Sequence, residues 1–426
     1  MSKKVALHNL GCKVNAYETQ AMETKLKDAG YIIVSFKEMA DYYIINTCTV
    51  TNIADRKSRQ MLHKAKKINP KGIVVAAGCY VETSMDEIDP VIDIVVGNNK
   101  KKDIVDILNA YQREVAQIQY ETVDINQTSE YEEMSVGVTD HVRANIKVQD
   151  GCNQFCSYCI IPYARGRVRS RGKEAVIKEV TQLSFNGYQE VVLTGIHLSS
   201  YGLDMKDSLL ALIKGVCKVE GIRRVRIGSL EPRIITEEFV KELAEEEKLC
   251  PHFHLSLQSG CDSTLKRMNR KYSTKEYEKA CILLRNYFQD VTLTTDVIVG
   301  FPGETKEEFE ESKAFIDRND FYETHVFKYS KREGTNAAKM DNQVSDSEKA
   351  RRSSELLALS KIKKTAYQKH LIGETREILV EEAIKRNGKT WQVGYTKEYI
   401  RLGIKTNENF VNQMKEILIE DMSFFV

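Results

Sequence analysis

Over the first hundred residues, short apolar runs alternate with longer stretches of helical periodicity. Residues 5–10, 43–46, 73–77 and 92–96 read as strands, and 16–29 and 53–68 as helices, the first of them stopped by Gly30. Buried apolar strands separated by helices predict a doubly wound parallel sheet. The pattern fades between Tyr111 and Asp140, where runs such as Glu130-Tyr131-Glu132-Glu133 predict an interdomain linker. A second βα series opens near Asn145, with strands predicted at 145–148, 190–194, 224–227, 253–257, 291–299 and 324–329. Helices are expected between them, including 174–185, 236–246 and 306–317. Six such units suit a partial (β/α)6 barrel, whose chemistry would sit at the carboxyl ends of its strands. Residues 345–370 read as a basic helical connector. Short runs at 377–380, 390–393, 399–402 and 416–419 then predict a small C-terminal β-barrel. The expected fold class is therefore α/β, with domains at 1–112, 138–369 and 370–426.

Length fits this division, because 426 residues exceed one ordinary core. A net charge of only +2 means that any surface for a polyanion must be basic locally. The N-terminus turns polar at His8 and Asn9 before a signal-peptide core could form, and no apolar run has bilayer length. A cytoplasmic protein with no membrane contact is the expectation. In a reducing compartment its ten cysteines point to metal more than to disulfides.

Six of those cysteines fall into two sets. Cys152, Cys156 and Cys159 follow the first strand of the second series, so they occupy a loop at the catalytic end of the barrel. A Cys-x3-Cys-x2-Cys loop can offer three thiolates to a cubane cluster and leave one iron open for a substrate or cofactor. Structural zinc is the alternative, but it wants a fourth ligand, and residues 160–171 contain no cysteine, histidine or carboxylate. Cys12, Cys48 and Cys79 are far apart in sequence, yet each directly follows a predicted strand. In a parallel sheet all three would meet at one carboxyl edge, where open α/β folds place ligands. Isolated core thiols are the bland reading of one such cysteine; three at one edge favour a second cluster. Cys217, Cys250, Cys261 and Cys281 show no ligand spacing. His252 and His254 read as packing or surface residues, and His8 and His197 carry no assignment.

The Cys152–Cys156–Cys159 spacing resembles that of the radical SAM superfamily, in which the open iron chelates S-adenosylmethionine (SAM) and the cluster cleaves it to a 5′-deoxyadenosyl radical. The two sets in this order, followed by a small β-barrel, resemble the methylthiotransferase family across essentially the whole chain. That resemblance implies an auxiliary 4Fe–4S cluster on Cys12, Cys48 and Cys79, a second 4Fe–4S cluster on the central core, SAM, and a C-terminal TRAM domain that binds RNA. Leu10-Gly11-Cys12-Lys13-Val14-Asn15 and Asn46-Thr47-Cys48-Thr49-Val50-Thr51 are similar to the branch that modifies N6-threonylcarbamoyladenosine at tRNA position 37. The isopentenyladenosine branch usually has Gln-Met after its first cysteine. Further matches are Thr194-Gly195-Ile196-His197, Ser229-Leu230-Glu231-Pro232, Leu255-Ser256-Leu257-Gln258-Ser259-Gly260 and the segment from Asp296 to Glu304. By resemblance Gly195, Gln258 and Ser259 would lie near the polar groups of SAM, and Ile298 and Tyr158 near its adenine. The chain departs from its relatives at Lys328, where proline is common, and at Glu82, where glutamine is common. Its C-terminal barrel is also short.

Basic residues agree with an RNA partner. Between Ile53 and Lys71 stand Arg56, Lys57, Arg59, Lys64, Lys66, Lys67 and Lys71 against the single acid Asp55. Arg165, Arg167, Arg169 and Arg171 alternate directly after the SAM-cluster loop, a pattern suited to phosphate contact. Either run alone is more often a solvated face; two runs, each near a cysteine set, favour the anticodon stem-loop of a tRNA. A reductase or small electron-transfer protein is a further expected partner, and the sulfur donor has no signature. The alternatives are methylthiolation of isopentenyladenosine or of a ribosomal protein, and a non-enzymatic RNA-binding protein with structural zinc.

Overall fold

The structure is a computed structural model that describes residues 2–111, 117–137 and 142–426. Its N-terminal sheet is wholly parallel. It contains β1 (Lys4–Asn9), β2 (Ile32–Val34), β3 (Tyr42–Thr47), β4 (Ile73–Gly78), β5 (Ile94–Val96) and β6 (Gln119–Glu121), in the order β2-β1-β3-β4-β5-β6. Every residue of β3 and β4 is buried, which is why both read as unbroken apolar runs. Alternate side chains serve opposite faces. Tyr43, Ile45, Val74 and Ala76 pack with Leu62 and Ala65 of helix α2 (Asn52–Ile68). Ile44, Val75 and Ala77 join Tyr17 and Ala21 of helix α1 (Lys13–Asp28) in a core that continues into the next domain. The winding reverses between β1 and β3, the switch point at which such sheets bind ligands.

The stretch expected to be a linker is largely built into the fold. β6 extends the N-terminal sheet past residue 112, and Met134 and Val136 are buried. Tyr17 Oη donates to Met134 O at 2.5 Å, and Tyr131 Oη donates to Lys147 O at 2.7 Å. Of the predicted linker, residues 112–116 and 138–140 lie outside the described residues.

The second series forms β7 (Arg143–Asp150), the two-residue β8 (Arg169–Ser170), β9 (Glu190–Gly195), β10 (Arg224–Ile227), β11 (His252–His254), β12 (Thr292–Val299) and β13 (Glu323–Lys328). The sheets β10-β9-β7-β8 and β11-β12-β13 are joined by parallel bridges at Val225–Leu249 and Leu230–Leu255. Six parallel strands thus make a partial barrel. Alternation sends Ile146, Val191, Val225, Phe253 and Leu293 outward to the helices. The opposite face, carrying Asn145, Val192, Arg226, His254 and Asp296, is left to the lumen.

The helix Asp346–His370 packs along β13, with Ser360 Oγ accepting from Thr324 N at 3.0 Å. It leads to β14 (Thr375–Arg386), β15 (Lys389–Tyr395), β16 (Arg401–Lys405) and β17 (Met414–Leu418), an antiparallel sheet in the order β16-β15-β14-β17. The turn after β15 stops the amino-terminal mouth of the barrel. Arg224 and Arg226 donate to the carbonyls of Tyr395, Thr396 and Lys397, and Tyr399 stacks on His252 at 4.7 Å.

Candidate active site

Cys12, Cys48 and Cys79 meet at the carboxyl edge of β1, β3 and β4, whose register aligns Asn9 with Asn46 and Asn46 with Ala77. Two glycines make the approach possible. Gly11 has φ +101°, and a Cβ there would lie 2.8 Å from Cys48 Sγ; Gly78 has φ +93°, and a Cβ would lie 2.6 Å from Asn46 Oδ1. Cys12 is the N-terminal cap residue of α1, and Cys79 opens the short helix α3 (Cys79–Thr83). Cys48 is tied to α2 by Ser58, which accepts from Cys48 N and donates to Cys48 O. Burial pushes the Cys48 thiol up to about 11.

The second set lies on the loop after β7. Cys152 N donates to Gly166 O, and Cys159 N to Cys156 O, each closing the loop on itself. A Cβ on Gly151, at φ +69°, would overlap Arg167 O at 1.8 Å, so only glycine admits this turn. Arg270 Nη1 donates to Cys156 Sγ at 3.2 Å and its other nitrogen lies 3.3 Å from Glu231. His197 Nε2, 3.7 Å from the same carboxylate, is buried without a hydrogen-bond partner among the described residues.

The two sets are neighbours. The helix Ile161–Arg165 begins two residues after Cys159, and Arg165 Nε reaches Cys79 Sγ at 3.3 Å. Arg165 is fully buried and also binds Asn15 Oδ1 at 2.5 Å, Glu18 at 2.8 Å and Asp150 at 3.1 Å. Lys147 joins Glu18 and Asp150 at 2.7 Å each, and Lys101 pairs with Glu18. A buried ionic network therefore fills the seam between the sheet domain and the barrel. On the far side, Arg332 closes the seam by binding Thr49 of the loop that carries Cys48 and Asn52 and Asp55 of the first turn of α2.

Both sets fit iron–sulfur clusters better than zinc. Thiols around one tetrahedral zinc lie ~3.8 Å apart, from Zn–S bonds of ~2.3 Å. Among the described residues the group of ligand atoms gathered within 4.8 Å is His254, Asp296 and His325, not either cysteine set. Cationic N–H donors to Cys79 and Cys156 suit the excess negative charge of a thiolate-bound cluster. Gly195, at the end of β9, is packed against Gln149: a Cβ there would lie 2.8 Å from Gln149 Oε1. Tyr158 and Ile298 line an apolar wall with Phe301, and Gln258, at φ +70°, is half-buried in the segment after β11, where it bridges to Val297.

Several sequence expectations are corrected. Arg165, Arg169 and Arg171 are buried rather than open to phosphate: Arg169 pairs with Asp150, and Arg171 with Glu133 and Glu179. Arg167 alone of that run is exposed, lying 4.6 Å over the Phe155 ring. Ser259 is fully buried, and its hydroxyl accepts from Cys261 N instead of facing the lumen. His254 is not a packing residue: its Nε2 lies 3.2 Å from Asp296 in the lumen. Arg56, Lys57 and Arg59 are exposed on α2 as expected. Arg59 also lines a cleft of about 730 Å³ with Glu82, Tyr163 and Arg332, between the sheet domain and the barrel. Sequence reasoning missed Arg270, Arg332 and Asn98, whose Nδ2 donates to Ala164 O at 2.6 Å and lies 3.8 Å from Cys79 Sγ; none has a spacing that ties it to a cysteine.

Comparison with known proteins agrees with this geometry. Residues 146–316 match the radical SAM superfamily, and residues 4–97 match the uncharacterized protein family UPF0004. The threonylcarbamoyladenosine tRNA methylthiotransferase MtaB of Bacillus subtilis is 44% identical over 97% of this chain and 93% of its own. The protein of that name from Aquifex aeolicus is 40% identical over 89% and 93%. A tRNA-2-methylthio-N(6)-dimethylallyladenosine synthase from Caldicellulosiruptor saccharolyticus is 32% identical over 97% and 89%. In fold, the chain is similar to the radical S-adenosylmethionine methyltransferase TsrM of Kitasatospora setae, at a TM-score of 0.57 and 17% identity, covering 77% of this chain and 75% of that one. An enzyme built on SAM and 4Fe–4S clusters replaces the zinc-protein alternative, and the chain belongs to the radical SAM tRNA methylthiotransferase family.

Proposed function

We propose that this protein adds a methylthio group to C2 of N6-threonylcarbamoyladenosine at tRNA position 37, giving the 2-methylthio derivative. The observation that supports this reading is the contact of Arg165, on the helix that follows the Cys152–Cys159 loop, with Cys79 of the other cysteine set. Cys152, Cys156 and Cys159 would hold the cluster that binds SAM, and Cys12, Cys48 and Cys79 the auxiliary one. Bound there, these groups supply radical and sulfur chemistry, which an aromatic C–H needs because acid–base catalysis does not activate it.

The chain's own residues position these groups. Arg165 and Arg270 each hold an N–H on a ligand sulfur. Glu231 and Gln149 fix the guanidinium of Arg270 and the backbone of His197, so the polar rim of the SAM site is set before binding. Tyr158, Ile298 and Phe301 offer the adenine of SAM an apolar wall. RNA would follow the exposed Arg56, Lys57 and Arg59 into the cleft, where Tyr163 and Arg167 border the entrance. The domains would divide as sheet domain, radical core and C-terminal RNA-binding sheet. A reductase or small electron-transfer protein would supply electrons, and the tRNA substrate places the reaction in the cytoplasm. No helix among the described residues is long and apolar enough to cross a membrane.

The test is mass spectrometry of tRNA nucleosides from a host lacking this activity, with and without the gene. Appearance of 2-methylthio-N6-threonylcarbamoyladenosine is the expected result. Methylthiolated isopentenyladenosine instead would overturn the substrate while keeping the chemistry.

A further inference from the structure

The lumen contains a cation that the reaction centre leaves unused. Lys13 follows Cys12 directly and lines a cavity of about 220 Å³ where the three domains meet, with Gln20, Arg143, Asn145, Glu381 and Tyr399. The arginines around this cavity are matched. Arg143 lies 2.6 Å from Glu381, Arg226 lies 3.0 Å from Glu190, and Arg224 lies 3.0 Å from Glu377. Arg143 is further held over the rings of Tyr395 and Tyr399, at 4.7 Å and 5.5 Å. Lys13 has no hydrogen-bond or ion-pair partner within bonding distance among the described residues; Arg143 and Arg226 are its like-charged neighbours, and Glu190 is the opposing charge. Glu190, the carboxylate that opposes those cations at Lys13, is already paired with Arg226, so the exposed ammonium is available to an anion entering the cavity.

The substrate named for the most similar relatives carries such an anion. Threonylcarbamoyladenosine bears a carboxylate on its N6 substituent, whereas dimethylallyladenosine bears only hydrocarbon. In adenine, C2 and the carbon bearing N6 flank the same ring nitrogen. A base that presents C2 toward the Cys12 edge therefore carries its N6 substituent within a lysine side chain's reach of that cysteine. We propose that Lys13 binds the threonyl carboxylate of the substrate and so selects this nucleoside over those with apolar N6 groups. The inference rests on the function proposed above and adds the residue that reads the substrate. A charge-assisted pair formed in the cavity discriminates because an apolar N6 group offers the Lys13 ammonium no partner.

The experiment uses the holoenzyme with both clusters. Its substrates are an anticodon stem-loop RNA carrying N6-threonylcarbamoyladenosine and the same RNA with the threonyl carboxylate as its methyl ester. In the wild type the ester should raise KM about tenfold or more. In Lys13→Met the acid should lose that advantage, so that acid and ester have equal KM, while Lys13→Arg should restore preference for the acid. Iron content and RNA-free SAM cleavage report whether the adjoining cluster survives the substitution. Should Lys13→Met lose iron, Lys13→Gln decides by the same comparison. Retention of the wild-type preference for acid in a charge-free, iron-replete variant overturns the proposal alone. A wild-type enzyme that methylthiolates neither RNA overturns the substrate reading and this inference together.

Discussion

Glu18→Gln should destabilise the sheet–barrel seam by about 3–5 kcal/mol at neutral pH, the cost of removing one partner from a buried ion pair. The setting is severe. Glu18 is 1% exposed, and its carboxylate meets Lys147 at 2.7 Å, Arg165 at 2.8 Å and Lys101. Loss of its charge leaves Lys101, Lys147, Arg165 and Arg169 facing Asp150. The neighbouring Glu132 is a poor substitute, because burial raises its pKa. Burial alone would raise Glu18 too, but Arg165, Lys101 and Lys147 together hold it well below the usual carboxylate range. The sign follows. A depressed carboxylate contributes stability that is present above its unfolded value, ~4.3, and lost as pH falls through its folded value.

Urea unfolding of the cluster-free protein, followed by far-UV circular dichroism, would measure the effect at pH 7 and at successively lower pH. The sole tryptophan, Trp391, lies in β15, so its fluorescence reports on the C-terminal sheet and serves as an internal control. Lys101→Met in the Glu18→Gln background should recover part of the loss by removing one orphaned cation. A cost below ~1 kcal/mol at pH 7 would show the seam to be wet or loosely packed, since that is the range of exposed pairs. A cost that does not shrink toward acid would also refute the ionic account.

Other outcomes follow from the same geometry. Cys156→Ala should abolish SAM cleavage, whereas Cys48→Ala should retain some cleavage and lose methylthiolation; equal loss of both in folded protein would contradict the separation of the two sets. Desolvation raises Glu82 to about 7 despite the 2.8 Å bond from Asn98 N. Its stabilising contribution is thus complete below ~4.3 and lost as pH rises through about 7. Glu82→Gln should match the wild type near pH 4 and exceed its stability by about 2–3 kcal/mol at pH 8 in thermal or urea melts. Replacing Arg56, Lys57 and Arg59 together by alanine should reduce the slope of log affinity against log salt by about two for tRNA, measured by fluorescence anisotropy.

What could be read from sequence was whatever strand register alone decides. Cys12, Cys48 and Cys79 each follow a buried apolar strand, and parallel pairing of β1, β3 and β4 is enough to bring those positions to one edge. The same logic placed Cys152, Cys156 and Cys159 beyond β7. The arginine run failed because alternation states only that side chains point two ways, not which way meets protein. β8 is two residues long and pairs antiparallel with β7, turning Arg169 inward to Asp150; Arg165 lies on a five-residue helix that points back into the seam. Its partner Glu18 stands 147 residues away, and Lys147 stands 129 away from that same carboxylate. Local charge patterns carry no trace of such pairings, so the acidic run at Glu130–Glu133 read as an interdomain linker although Glu132 is buried and Glu133 binds Arg171. The pattern suggests a division of labour in the charges of this chain. Those confined to the seam are neutralised in pairs and fix the two cysteine sets against each other, while those without an ion pair among the described residues, Lys13 in the lumen and Arg56, Lys57 and Arg59 on the surface of α2, are the ones available to an anionic nucleic acid and its anionic base.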